Sequence, residues 1–289
     1  MTPEEGCELT EALETAASIT ATRRVSVGCT FEYSSWSSVP AVFQVEPVED
    51  QDVEIRDEVW TFQPEQESRP YRDLYGNRCR RLEVPAGGSV ITFSAIAIVP
   101  DAAEPQDESA IEHQPEDLPD DVLFYTLPSR YCLPDVLGNE AWSRFGSTAP
   151  GYGRVRAICD YVHHHLTFSY GTSNSWTTAA DVHQSGYGVC RDYTHLAISF
   201  CRALNIPARY VFGYLPEIDL DSRGTPMDFA AWMEVYLGDR WWTFDPRNNQ
   251  PRKGRVLIGR GRDATDVAMA TTFGAPFLES MTVVAEEAI

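Results

Sequence analysis

Cys190 follows a glycine-rich approach, Gly186-Tyr187-Gly188-Val189, and opens an apolar run at helical spacing through Leu196, Ala197, Ile198, Phe200, Cys201 and Leu204. A thiol at a helix N-terminus meets unpaired N–H groups and the positive end of the helix dipole, and both favour the thiolate. The same N–H groups could hold the oxyanion of a tetrahedral intermediate. The pattern therefore admits a cysteine nucleophile, and equally a small buried hydrophobe. A second candidate is Asp245, set before Pro246 at the end of the aromatic-rich strand Arg240-Trp241-Trp242-Thr243-Phe244. A nucleophile of this kind is activated by a base, and the chain has six histidines. His183 lies on the approach to Cys190. His195 follows Cys190 on the same helix, about 140° round from it, on a face directed into the fold. His163, His164 and His165 sit about 100° apart at a helix end, so they do not converge on a metal by themselves. His113 lies in an acidic stretch and is expected to be solvated.

These residues need elements to hold them. Asn205-Ile206-Pro207 stops the cysteine helix, and Ala208 to Tyr214 reads as a strand. Met227 to Leu237 and Arg240 to Phe244 read as two strands joined at the tight turn Gly238-Asp239. Upstream, a short helix is expected from Asp135 to Phe145 and a firmer one from Gly153 to Leu166. Arg23 to Pro100 instead carries short alternating strands with turns at Tyr75-Gly76-Asn77-Arg78 and Pro85-Ala86-Gly87-Gly88, the signature of an antiparallel sandwich. The expected division is an N-terminal tail (1–20), a β-sandwich domain (21–101), an acidic, proline-bearing linker (102–120) and an α+β core (121–289).

Composition narrows the chemistry. The net charge of −20, from 23 basic and 43 acidic residues, argues against nucleic acid and anionic membrane as partners, because phosphates are repelled. The seven cysteines are scattered with no C-x-x-C pair, so a zinc site is not expected and reduced thiols are. The acidic opening Met1-Thr2-Pro3-Glu4-Glu5 does not resemble a secretory signal, and no apolar run reaches the roughly 18 residues of a membrane span. A cytoplasmic location is expected. No metal, nucleotide or redox cofactor is indicated.

Cys190-Arg191-Asp192 on a helix, then Asp228-Phe229-Ala230-Ala231-Trp232-Met233-Glu234-Val235-Tyr236-Leu237, a turn, and Trp241-Trp242-Thr243-Phe244-Asp245-Pro246, resembles the bacterial transglutaminase-like superfamily. Leu127-Pro128-Ser129-Arg130-Tyr131-Cys132 and Gly259 to Ala268 are similar to one bacterial branch of it, in which a β domain precedes the core. The resemblance covers about Tyr125 to Gly274. It implies a papain-like α+β core and a Cys–His–Asp triad, with Cys190 as nucleophile and Asp245 as the residue that orients the histidine. It also implies acyl transfer or hydrolysis at a peptide amide or thioester carbonyl.

The histidine of that triad does not map. Its two places in the pattern are Ala230 and Asn248. Three readings follow. The chain is a non-catalytic relative that binds a peptide, an acyl group or a protein in the inherited cleft, with Asp245 mainly structural. Alternatively His183, His195 or one of the 163–165 histidines supplies the base. Or the substrate is an activated thioester that needs no base. The leading expectation is cysteine-centred acyl chemistry with an incomplete triad. Tyr187, Trp176, Gln184, Trp232 and Trp241 are expected to line the cleft, with the Cys190 N–H as oxyanion donor and Trp176 or Gln184 as its side-chain partner. Arg260 and Arg262 are candidates for a substrate carboxylate, and Arg191 and Asp192 for a pair with each other or with Asp263 or Asp266. The expected partner is a peptide, protein or acyl-thioester.

Overall fold

The computed structural model describes residues 21–49, 52–220 and 226–288, so the tail expected at 1–20, with Cys7, lies outside the described residues. The first half is built on β1 (Thr22–Ser35), whose inward positions Val25, Val27, Cys29, Phe31 and Tyr33 are all buried. Gly28 permits the close strand contact, since a Cβ there would stand 2.5 Å from the Phe93 carbonyl oxygen. Next come β2 (Val39–Phe43), β3 (Glu54–Gln63), β4 (Arg69–Arg72), β5 (Arg78–Val84) and β6 (Gly87–Pro100). They form two antiparallel sheets that bury Phe31, Phe43, Val84, Ile91 and Phe93 between them, with Phe31 edge-on to Phe43 at 5.1 Å.

The second half begins with α1 (Asp120–Leu123), α2 (Pro134–Phe145) and α3 (Tyr152–His165), then β7 (Thr167–Phe168), α4 (Ala179–Ser185) and β8 (Tyr187–Gly188). The buried helix α5 (Cys190–Ala203) follows, backed by an antiparallel sheet in the order β11-β10-β9-β12. These strands are β9 (Ala208–Tyr214), β10 (Ala230–Leu237), β11 (Arg240–Phe244) and β12 (Val256–Gly261). Ala231, Met233 and Val235 of β10 join the main core, while Ala230 and Trp232 point the other way into a small cluster with Val211, Leu215 and Leu257. The architecture is α+β, as expected.

The boundary expected at 121 does not hold to the C-terminus. β13 (Ala270–Thr272) pairs with β2, and β14 (Phe277–Glu287) pairs with β1 from Val25↔Glu287 to Ser34↔Phe277. The last strands therefore complete the sandwich sheets, because the long edge of β1 has hydrogen-bonding groups that only another strand satisfies. The two halves also share a core: Tyr214 of β9 donates its hydroxyl to the Val45 carbonyl at 2.9 Å. The turn at Tyr75-Gly76-Asn77 ties them again. Asp73 Oδ1 accepts the Tyr75 and Asn77 N–H groups, and the Asn77 amide exchanges two hydrogen bonds with the Arg260 backbone, both 2.8 Å.

Residues 102–120 are a fastened strap rather than a linker. Glu104 pairs with Arg255 and accepts the Arg252 N–H, and Glu112 pairs with Arg154 at 2.9 Å with both side chains under a tenth exposed. His113, expected to be solvated, instead packs on Tyr236 and bonds the Gly238 carbonyl. Acidic composition suggested a solvated stretch; buried arginines elsewhere in the chain are what its carboxylates satisfy.

Candidate active site

The approach to Cys190 is set by local geometry. Thr178 and Asp181 cap α4 reciprocally, the Thr178 N–H reaching Asp181 Oδ2 at 2.9 Å. Gly186 ends α4 in the left-handed region at φ 75°. β8 then pairs with β7 in parallel, Thr167 beside Tyr187 and Phe168 beside Gly188. Gly188 is required, because a Cβ there would fall 2.7 Å from the Asp192 Cβ. Asp192, fully buried, closes the turn by accepting the Val189 N–H at 2.8 Å. Its other oxygen holds the Arg191 guanidinium, which also reaches the Asn174 carbonyl at 2.9 Å. Arg191 and Asp192 thus pair with each other, and together they pin the 171–178 loop to the start of α5.

Cys190 takes the first position of α5, half-buried, with Sγ 3.8 Å from the Phe229 carbonyl oxygen at the entry to β10. Burial pushes the thiol up from about 9 to about 11, and the Asp228 carboxylate adds to the rise. Arg247 and the backbone N–H groups of Ala231 and Arg191 act the other way without prevailing. The stabilised thiolate expected from the helix start is not supported: burial, with Asp228, raises the Cys190 pKa in spite of Arg247 and the two N–H groups. Asp228 is itself raised by burial, against the Phe229 N–H it accepts at 2.8 Å and the charge of Arg247.

Asp245 is buried and saturated. Oδ1 accepts the N–H groups of Arg247 and Asn248 at 3.0 and 2.9 Å. Oδ2 accepts the Asn248 amide at 2.7 Å and Arg255 Nη2 at 2.8 Å. Burial opposes ionisation, but the Arg255 charge and the Asn248 hydrogen bonds prevail and hold the carboxyl below its ordinary value. Asn248 thus occupies one of the two vacant histidine places with an amide that binds Asp245 and carries no titratable proton. Ala230, the other place, is a buried methyl beside Trp232, over which Arg255 stacks at 4.8 Å.

No histidine is hydrogen-bonded to Cys190 or Asp245 among the described residues. His183 faces away: its ring packs on His165 at 4.8 Å and Phe200 at 5.7 Å, and its Nε2 lies 3.8 Å from Glu140. Burial and His165 lower its pKa. His195 is stacked between Tyr131 and Tyr210, accepts the Ala264 N–H at 3.2 Å, and is held neutral by burial. His163, His164 and His165 bond the carbonyls of Arg247, Asp160 and His183.

The predicted cleft wall divides. Trp176 and Tyr187 are exposed on the segments leading to Cys190, and Gln184 is exposed on α4 with no hydrogen bond given to it among the described residues. Trp232 is buried on the outer face of β10, and Trp241 is held near the β10–β11 turn between Arg209 and the rings of Tyr125 and Tyr236. Neither tryptophan packs at the thiol, because strand alternation and register set them elsewhere. Arg260 pairs with Glu234 and Arg262 with Asp266, so both expected carboxylate binders already hold acids of the chain. Sequence reasoning gave no role to Asp228, Arg247 or Tyr170, which act electrostatically with Cys190. Asp228 opens the strand segment that carried the resemblance and Arg247 follows Asp245 by two residues, and those positions were the available signal.

The site thus sets Cys190 at the start of α5 and a buried Asp245 just past the end of β11. A family model of the transglutaminase-like superfamily matches residues 143–246. The solved structure of a candidate cysteine protease from Cytophaga hutchinsonii is 31% identical and superposes with a TM-score of 0.85 over 93% of this chain and 91% of that one. An uncharacterized Mycobacterium leprae protein is 34% identical over 117 residues, 39% of this chain and 42% of its own length. A Mycobacterium bovis one is 27% identical over 169 residues, 55% and 49%. The chain spans less than half the length of these curated mycobacterial relatives. It belongs to the transglutaminase-like superfamily.

Proposed function

We propose that this chain uses the transglutaminase-like cleft to bind an extended peptide segment of a partner protein, and does not run histidine-assisted acyl transfer. The observation that carries this reading is that all six histidines are engaged away from Cys190, while Asp245 spends both oxygens on Arg255, Asn248 and the backbone. A thiol near pKa 11 is ionised to about one part in ten thousand at pH 7, which leaves the nucleophile essentially off. The exposed rings of Tyr170, Trp176 and Tyr187, on the segment that leads to Cys190, offer apolar surface to a peptide.

A second reading is favoured by one feature. The N–H groups of Arg191 and Ala231 act on the sulfur, as donors for a developing anion would. Slow acyl transfer from an activated thioester would use them without a base. One experiment separates the two: the rate of iodoacetamide alkylation at Cys190 against pH, read by peptide mass spectrometry with a small thiol as standard. The binding reading expects Cys190 to stay slower than the standard at pH 7 and to titrate toward 11. Rapid alkylation below pH 8 overturns it and leaves the thioester reading standing.

A further inference from the structure

The cations around the cleft are not equivalent. Arg191 is paired with Asp192, Arg209 and Arg260 with Glu234, Arg255 with Glu104 and Asp245, and Arg262 with Asp266. Arg247 has no carboxylate within ion-pair distance among the described residues, in a chain with 43 acidic residues against 23 basic ones. Its backbone is fixed: the N–H donates to Asp245 Oδ1 at 3.0 Å, and the carbonyl accepts His163 Nδ1–H at 2.9 Å. Its guanidinium carbon lies over the Phe168 ring, 4.1 Å from the centroid. Among the described residues nothing accepts a hydrogen bond from its guanidinium, so those N–H donors are available to a carboxylate, which a guanidinium takes in bidentate fashion. The position is near Cys190, since the Phe168 that carries the guanidinium pairs with Gly188, two residues ahead of the cysteine, and Arg247 acts electrostatically on Cys190, Tyr170 and Asp228 alike.

We infer that Arg247 is the specificity-determining residue of the cleft, its stacked guanidinium taking a carboxylate of the bound peptide next to the Cys190 thiol. This rests on the peptide-binding reading and narrows it to acidic or C-terminal segments. Asn248 and Asp245 then act as the platform that keeps the 245–249 turn, and Arg247 with it, in register. The side chain that resembles a catalytic aspartate thereby positions a recognition residue.

The test uses a carboxylate small enough to reach the sulfur. Iodoacetate and iodoacetamide alkylate the same thiolate, so the ratio of their rates at Cys190 cancels the degree of ionisation. It therefore reports on Arg247 whether or not the thiol proves quiet. The full chain should show an iodoacetate to iodoacetamide ratio at Cys190 at least several-fold above that of a small free thiol. Arg247→Gln should lower the ratio about tenfold, the equivalent of about 1.4 kcal/mol, and Arg247→Lys should fall between. In the unaltered chain the ratio should drop as salt rises from about 0.02 to 0.5 M, through screening. A ratio no higher than that of the free thiol, or one that neither Arg247→Gln nor salt lowers, overturns the assignment. The salt series reads the native protein, so a variant that fails to fold does not leave the question open.

Discussion

Replacing Asp245 with asparagine distinguishes a structural aspartate from a catalytic one. The carboxylate and Arg255 are 3% and 7% exposed and 2.8 Å apart. Removing one partner of such a pair leaves a buried charge uncompensated, at a cost of about 3–5 kcal/mol. Arg255 keeps Glu104, which places the expected loss near the lower end. For a chain of this length about 2 °C is lost per kcal/mol, so Asp245→Asn should lower Tm by about 6 °C in a thermal melt at pH 7. The pH dependence has a sign. Asp245 is held below its ordinary pKa in the fold, so its contribution is present above the unfolded value and is lost as pH falls through the folded one. The gap between the two proteins should therefore narrow in acid. The alkylation rate of Cys190 should stay within about threefold of native, because Asp245 orients no imidazole. A Tm within 2 °C of native, or a large change in Cys190 reactivity without one, would refute the reasoning.

Asn248→His places an imidazole on Asp245 Oδ2; it should move the Cys190 alkylation profile to lower pH, and an unmoved profile would show that residue 248 does not face the sulfur. Gly188→Ala forces a methyl to within 2.7 Å of the Asp192 Cβ; a loss of about 1–3 kcal/mol is expected in a denaturant melt, together with faster proteolysis of the 171–178 loop. His195 is buried neutral with its pKa depressed, so the unfolded state binds the extra proton as pH falls below about 6.5. Stability should fall by up to about 1.4 kcal/mol per pH unit on this account. His195→Gln should show a shallower acid decline, and parallel curves would sink the idea.

Much of the core was legible because it rests on local signals. The helices at 134–145 and 152–165, the cysteine helix and the hairpin around Gly238 follow from periodicity, prolines and turn residues, and all appear close to the expected places. α4 was not anticipated, since seven residues carry little periodicity. β13 and β14 escaped for a different reason. Their place depends on the unsatisfied edges of β1 and β2, far away in sequence, and no local pattern encodes that pairing. At the site, the position of Cys190 was legible but its ionisation was not. Dipole and N–H groups can be read from a helix start, whereas desolvation depends on what packs above it. The same holds for Arg260 and Arg262, whose partners Glu234 and Asp266 come together only in the fold.

The quiet thiol can be traced to one missing charge. A helix N-terminus contributes about 0.3–1 kcal/mol, up to about 2 when partly buried, and Cys190 has that advantage. The rise from about 9 to about 11 nevertheless corresponds to about 2.7 kcal/mol in favour of the neutral form, after Arg247 and two N–H groups have acted. That figure is larger than the range of a helix terminus, so burial of the sulfur leads. A protonated imidazole about 4 Å away would contribute about 4 kcal/mol at an effective dielectric of about 20, enough to reverse the sign. Arg247 is a cation but lies over Phe168, and its pull is insufficient. On these magnitudes the helix terminus lowers, but does not remove, the cost of ionising Cys190. With Ala230 and Asn248 in the histidine places, the cost stands, and what the cleft retains is shape, aromatic surface and one unmatched guanidinium.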